Sequence, residues 1–213
     1  MPAARNLREK RKQESRDRIL EAAANSIRSE GLEGASIVPI MKQAGLTHGS
    51  FYSHFEDRNA LVNAAFKHAV TNSRRLWSKQ IKNASNLNER FKHFARSYLN
   101  IDHREELEKG CAIGALITDA ARSSHEFKET FEQELEKSLQ AILNSPHNDE
   151  TERQQAIAFF AMCIGGISLS RAVNNEEFSE EILNACIEYS DNITKTPEHQ
   201  NTRTPTKHTR GNE

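Results

Sequence analysis

Cysteine is too scarce here for a disulfide framework. The three present, Cys111, Cys163 and Cys186, are an odd number at no metal-ligand spacing. That usage suits a reducing compartment and gives the expectation of a cytoplasmic protein. No Cys-x-x-Cys occurs and no two histidines stand four apart, so His93, His103 and His125 form no recognisable metal set and no metal is expected. A glycine-rich phosphate loop, a G-x-S-x-G turn and paired carboxylates in a catalytic setting are also missing, which argues against an enzyme and against any cofactor. With five prolines, nine glycines and no strand-like alternation, the chain reads as all-α. Long hydrophobic runs are lacking. The longest, Ala156 to Ile167, falls short of the roughly 20 residues that a bilayer requires, so no membrane partner is expected. Residues 1–18 are charged and contain no apolar run, so no secretory signal is visible and none is expected.

A strong overall charge is absent too, since the net is −1. The charge is unevenly placed, however. Residues 1–75 carry 13 Lys and Arg against 8 Asp and Glu, whereas the remainder carries 16 against 22. A basic front on an acidic body points to an anionic partner at one end.

What the chain has in quantity is helical spacing. Ile19, Ala23 and Ile27 form one stripe of a helix expected over about 11–30, stopped by Gly31. Ser36 stands at the N-cap position of a short helix from Ile37 to Ala44, with Pro39 in its first turn. Gly45 ends it. Thr47 stands at the cap of a second short helix, through about Phe55, whose apolar side is Phe51 and Phe55. Two short helices joined at Ala44–Gly45–Leu46 make a helix-turn-helix. The second must be slim at its N-terminus to enter a major groove about 12 Å wide. Thr47, His48, Gly49 and Ser50 are small and polar there, and Tyr52, Ser53 and His54 follow on the outward side. A structural helical hairpin is the competing reading of the same pattern.

The stretch SIVPIMKQAGLTHGSFYSHFEDRNALVNAAF resembles the DNA-binding segment of the TetR/AcrR family. Ala44, Gly45 and Leu46 match its turn. Gly49, Ser50, Phe51, Tyr52 and Phe55 match its second helix, and Arg58, Asn59, Ala60 and Leu61 the start of the next. The resemblance implies that Ser50, Tyr52, His54 and Arg58 grip phosphates while Thr47, His48 and Gly49 approach base edges. Ser36 and Ser53 join the expected DNA-binding set. Val38 and Pro39 stand where relatives often carry a polar base reader, which leaves Lys42 or Gln43 from the first helix. Before the motif, residues 5–18 hold seven basic side chains against three acidic ones, an arm that adds phosphate contacts.

The expected organisation is a flexible basic arm over 1–12, a DNA-binding domain over 13–58, a helical body over 59–194 and a disordered tail over 195–213. By resemblance, the body binds a small-molecule inducer and forms a homodimer through its last two helices. The implied function is a repressor released from a palindromic, double-stranded operator. An adaptor or architectural DNA-binding protein without an inducer is the alternative. Candidate pocket residues are Trp77, Phe91, Phe94, Tyr98, Cys111, Leu116, Phe127 and Phe131, with plain core as the competing reading of the aromatics. Cys111 follows Gly110 at an expected helix N-terminus, a setting that favours a reactive thiolate. Residues 100–109 read as a polar linker.

Overall fold

A computed structural model describes residues 2–144 and 149–193, the first four of these by backbone alone. Among the described residues there are nine α-helices and no strand. They are α1 (Pro2–Glu30), α2 (Ile37–Gln43), α3 (Arg58–Ile81), α4 (Leu87–Tyr98), α5 (Ile101–Glu105), α6 (Ala112–Arg122), α7 (His125–Leu143), α8 (Glu150–Ala172) and α9 (Glu176–Asn192). A six-residue 3-10 helix, His48–Ser53, lies between α2 and α3.

Side-chain caps fix several of the starts. Asp57 accepts the Ala60 amide ahead of α3 at 2.7 Å, Asn86 the Glu89 amide ahead of α4 at 2.9 Å, and Asn175 the Phe178 amide ahead of α9 at 2.6 Å. Each satisfies one amide that a helix N-terminus otherwise leaves without a partner. Ser36 and Thr47 do occupy the cap positions of α2 and the 3-10 helix, yet neither side chain makes the capping bond. Asn144, in the left-handed region at φ 51°, ends α7.

Burial organises the helices around two clusters. The first joins Ile19, Ala23 and Ile27 of α1 to Ile40 and Met41 of α2, to Phe51 and Phe55, and to Leu61, Ala65, Phe66 and Val70 of α3. Leu116 of α6 and Phe127 of α7 complete it, so the front of the molecule rests directly on the body. The second gathers Phe91, Phe94 and Leu99 with Leu139, Ile142, Phe159, Phe160, Cys163, Ile167 and Leu183. Phe91 and Phe159 stack with centroids 4.2 Å apart. The Arg74–Glu134 ion pair, 2.9 Å, ties α3 to α7, and Arg153 makes a two-bond pair with Glu136 between α7 and α8.

Three expectations change. Residues 2–12, expected as a flexible arm, continue α1 as helix, because this stretch has no breaker after Pro2 and is rich in Arg, Lys and Ala, all good helix formers. The boundary near residue 58 coincides with the start of α3, but α3 itself runs through both clusters. The linker over 100–109 contains α5 and a 3-10 turn, Leu107–Lys109. The expected tail, 195–213, lies outside the described residues. In α8, 23 residues long and apolar enough by composition to cross a membrane, one face packs Ala156, Phe159, Phe160, Cys163 and Ile167 into the second cluster.

Candidate DNA interface and internal cavity

The turn after α2 owes its geometry to Gly45, whose φ of +69° is left-handed and strains any other side chain. The Leu46 amide returns to the Met41 carbonyl at 2.9 Å, which closes the turn. Beyond it the chain forms a 3-10 helix where an α-helix was expected. Its tightness follows from the hydroxyls: Ser50 Oγ donates to the Thr47 carbonyl and Ser53 Oγ to the Ser50 carbonyl, each at 2.7 Å. Such local side-chain bonds compete with the wider α-turn.

Phe51 is fully buried and Phe55 nearly so, their rings stacked 5.8 Å apart. The Arg16 guanidinium lies 4.2 Å from the Phe55 centroid, and Arg16 also donates to the His54 carbonyl. The element is therefore fastened from α1 and from its own two rings. Lys42, Thr47, His48, Gly49, Tyr52 and Ser53 are exposed, with Tyr52 at 66%. Ser36 is exposed as well, and nothing stands within 4 Å of where a Gly49 side chain would be. Val38, 61% exposed, leaves an apolar group on the α2 side of this surface. Of the expected polar set, Ser36, Lys42, Thr47, His48, Gly49, Tyr52 and Ser53 are thus open to solvent, whereas Ser50 is half-buried.

Two expected phosphate contacts are placed differently. Arg58 is turned inward: its Nε donates to the Ala35 carbonyl at 3.0 Å and an Nη to the Leu32 carbonyl. It fastens α3 to the entry of α2. His54 is half-buried, with Nδ1 enclosed and lacking a partner. Burial, then the charges of Lys12 and Arg16, push its pKa down.

A cavity of about 350 Å³ sits in the body. Of the candidate pocket residues, Trp77, Phe94, Tyr98 and Cys111 line it, together with Ile113 and Phe160. Phe91, Leu116, Phe127 and Phe131 do not. Phe91 stacks on Phe159, Leu116 is fully buried, and Phe127 and Phe131 both pack against Phe66. Aromatics at helical spacing fill a core and line a cavity equally well, so spacing did not separate them.

The segment from α5 to Gly110 supplies the polar wall through Asp102, His103, Glu106 and Lys109. His103 is its hinge pin. The Cys111 amide donates to Nε2 at 3.1 Å, so Nε2 carries no proton. Nδ1–H therefore donates to the Tyr98 carbonyl, 2.6 Å away. Burial lowers the His103 pKa and suits this neutral form. Cys111 caps α6, its Sγ accepting the Gly114 amide at 3.5 Å. Beside it the Tyr98 hydroxyl is enclosed, and burial raises its pKa, as the Cys111 thiol does to a lesser degree.

The same segment reaches outward in two directions. Arg171 of α8 donates to the carbonyls of His103 and Arg104, and Arg104 donates to Ser179 Oγ of α9 at 2.9 Å. Arg28 near the end of α1 donates to the Glu108 carbonyl. Farther along, the Leu32 amide donates to Asp119 of α6 at 3.2 Å. The cavity wall thus touches both the last two helices and α1, the helix against which the exposed 3-10 tip is fastened. These links were missed because residues 100–109 hold too few apolar side chains to register as an element.

Fold and site together define a class: an all-helical protein with a helix-turn-helix at its front and a cavity-bearing helical body. The family model for bacterial regulatory proteins of the tetR family matches residues 19–65. Two uncharacterized HTH-type transcriptional regulators of Bacillus subtilis (strain 168), YvdT and YdgC, are similar to this chain. YvdT is 40% identical over 57 residues, which is 27% of this chain and 29% of the relative. For YdgC the figures are 44% over 48 residues, 22% and 25%. The match thus spans less than a third of the length of these curated relatives. A TetR-family transcriptional regulator from Cytophaga hutchinsonii has the same fold, with a TM-score of 0.68 at 20% identity, over 84% of this chain and 94% of that one.

Proposed function

We propose that the protein is a dimeric DNA-binding transcriptional regulator of the cytoplasm, a repressor that leaves a palindromic operator when a small or thiol-reactive molecule enters the cavity. The observation that carries this reading is the open tip. Thr47, His48, Gly49, Tyr52 and Ser53 are exposed on a short element fastened by Phe51 and Phe55. A slim polar end of this kind suits base edges and phosphate oxygens in a major groove.

Dimerisation is supported by an unpartnered face on the last two helices. Ile157, Ala161 and Leu169 are exposed at four- and eight-residue intervals on α8, with Gly165 completing the row. Phe178, Ala185 and Tyr189 are exposed on α9. A two-fold pair on this face gives two tips, which on DNA must sit one helical turn, about 34 Å, apart. The cavity favours a ligand-responsive regulator over an adaptor without an inducer. A ligand that binds one spacing of the tips better than another changes DNA affinity by that difference. The contacts of the 100–110 wall with α1, α8 and α9 are the physical route for such a change.

Retardation of a duplex from the region upstream of the protein's own gene tests the reading. Binding at low salt is expected, with release on adding oxidants or aldehydes. Indifference of the wild-type protein to that duplex and to other double-stranded DNA would overturn it. Release that is unchanged in Cys111→Ser would remove the thiol route and leave non-covalent induction.

A further inference from the structure

α2 turns one side to the core and the other outward. Ile40 and Met41 are buried, whereas Val38, Pro39, Lys42 and Gln43 are exposed. Val38 and Lys42 stand four apart and share one outward strip. That strip runs into the tip, because the Gly45 amide donates to the Lys42 carbonyl at 3.0 Å and the exposed Thr47 follows two residues later. Among the described residues Val38 is the most exposed large aliphatic side chain, at 61%. A lone valine on an ordinary surface needs no partner. This one stands between the exposed polar residues Ser36 and Lys42, on the surface that continues into the tip. Its position is also held from behind. Arg58 of α3 donates to the Ala35 and Leu32 carbonyls, and Ser26 Oγ of α1 donates to the Gly34 carbonyl at 2.7 Å. The loop that leads into α2 is thus tied to two long helices. A valine in a helix has one strongly preferred χ1 rotamer, so Val38 presents its two methyl groups rigidly.

We propose that Val38 selects a thymine, through its 5-methyl group, at the margin of the groove that the tip enters. The inference rests on the DNA-binding reading above and adds to it a specificity-determining residue of a kind that the polar tip does not supply. Continuity with the tip brings a base edge to Val38, and chemistry selects the base. Valine has no donor or acceptor to offer, and the apolar group that a natural base pair presents in the major groove is the thymine methyl. Burying one methyl group is worth about fourfold in affinity, hence about 15-fold over the two half-sites of a dimer.

The test uses a duplex that the wild-type protein enriches from a random-sequence pool, prepared once with thymine and once with uracil. Uracil removes the 5-methyl group and keeps every hydrogen-bonding group of the base. The wild type should bind the thymine form about 15-fold tighter. Val38→Ala should lose most of that preference, binding the thymine form more weakly and the uracil form as the wild type does. Thermal unfolding would check that the variant is folded, as expected for a change at an exposed site. Val38→Arg, which offers a pair of donors to guanine, should enrich G·C where the wild type enriches T·A. Full thymine preference in Val38→Ala, an equal loss on both forms, or an unchanged enriched sequence in Val38→Arg would overturn the assignment while leaving the tip in place. Failure of the wild-type protein to enrich or bind any duplex would instead overturn the DNA-binding reading, and the assignment with it.

Discussion

The Arg58 Nε donates to the Ala35 carbonyl at 3.0 Å, across 23 residues of sequence. A second bond from the same guanidinium reaches Leu32, and Glu33 lies 3.9 Å away. Arg58 therefore closes the loop that holds α2, and its charge is spent on carbonyls of its own chain. Arg58→Ala should destabilise the protein by about 1 kcal/mol, the usual worth of such bonds at a partly exposed site. Chemical denaturation measures this. The slope of DNA affinity against salt should stay as in the wild type. Unchanged stability with a slope lower by about 2 in the dimer would return Arg58 to the phosphate contacts.

Phe51 and Tyr52 are neighbours with opposite duties. Phe51 is fully buried, whereas Tyr52 is 66% exposed, and the two rings meet edge to face at 5.2 Å. Phe51→Ala should cost about 3 to 5 kcal/mol, as loss of a buried aromatic does, and abolish DNA binding by unfolding the tip. Tyr52→Phe should change stability by no more than about 0.5 kcal/mol and still weaken DNA binding. Thermal unfolding paired with anisotropy on one duplex separates the two. Equal DNA affinity for Tyr52→Phe and wild type would remove the hydroxyl from the interface.

These contrasts show where sequence is informative. Ile19, Ala23 and Ile27, or Phe127, Leu139 and Ile142, announce helices because burial requires apolar side chains at helical spacing. The tip was legible through small polar residues between two glycines and two phenylalanines. The helical course of residues 2–12 was not, because a helix that touches no core carries no apolar stripe, and propensity alone extends it. Ser36 and Thr47 were read as caps from residue type, but capping depends on side-chain rotamers that type does not fix. Arg58 could not be assigned either. A guanidinium serves a phosphate or a carbonyl equally well, and the choice is made by Ala35 and Leu32 arriving beside it. In the cavity, Trp77 and Phe94 differ from Phe91 and Phe131 by which side of a helix meets empty space, a property of three helices at once.

His103 couples the cavity wall to pH. Burial pushes its pKa down and Arg171 acts in the same direction, against the Tyr98 carbonyl and Glu106. The unfolded chain takes up the proton more readily, so the stabilisation is present above about pH 6.5 and is lost as pH falls below that toward the lowered value. Protonation at Nε2 would also break the bond from the Cys111 amide. His54 is shifted the same way and contributes the same sign. The thermal midpoint should therefore fall between about pH 7.5 and 5.5, and fall less in His103→Gln. A midpoint profile identical in wild type and variant would show that His103 is not buried in its neutral form.

Gly165 and Gly166 are adjacent on α8 but face different surroundings. A side chain at Gly166 would meet Cys186 Sγ at 2.8 Å and Leu99 at 3.2 Å, so this glycine lets α9 close on α8. Nothing lies within 4 Å of the same position at Gly165, which stands in one row with Ile157, Ala161 and Leu169. Gly166→Ala should therefore destabilise the fold. Gly165→Ala removes a helix-interior glycine in open space and should gain up to about 1 kcal/mol if the chain is alone. On a two-fold interface the added methyl meets the other copy, and Leu169→Glu would bury a charge there. Sedimentation velocity distinguishes these cases. The expected result is a wild-type dimer that Leu169→Glu converts to folded monomer and Gly165→Ala weakens. A wild-type monomer, or a dimer indifferent to Leu169→Glu, would mean that this face is not where the copies meet, and the two tips would then need another means of reaching successive grooves.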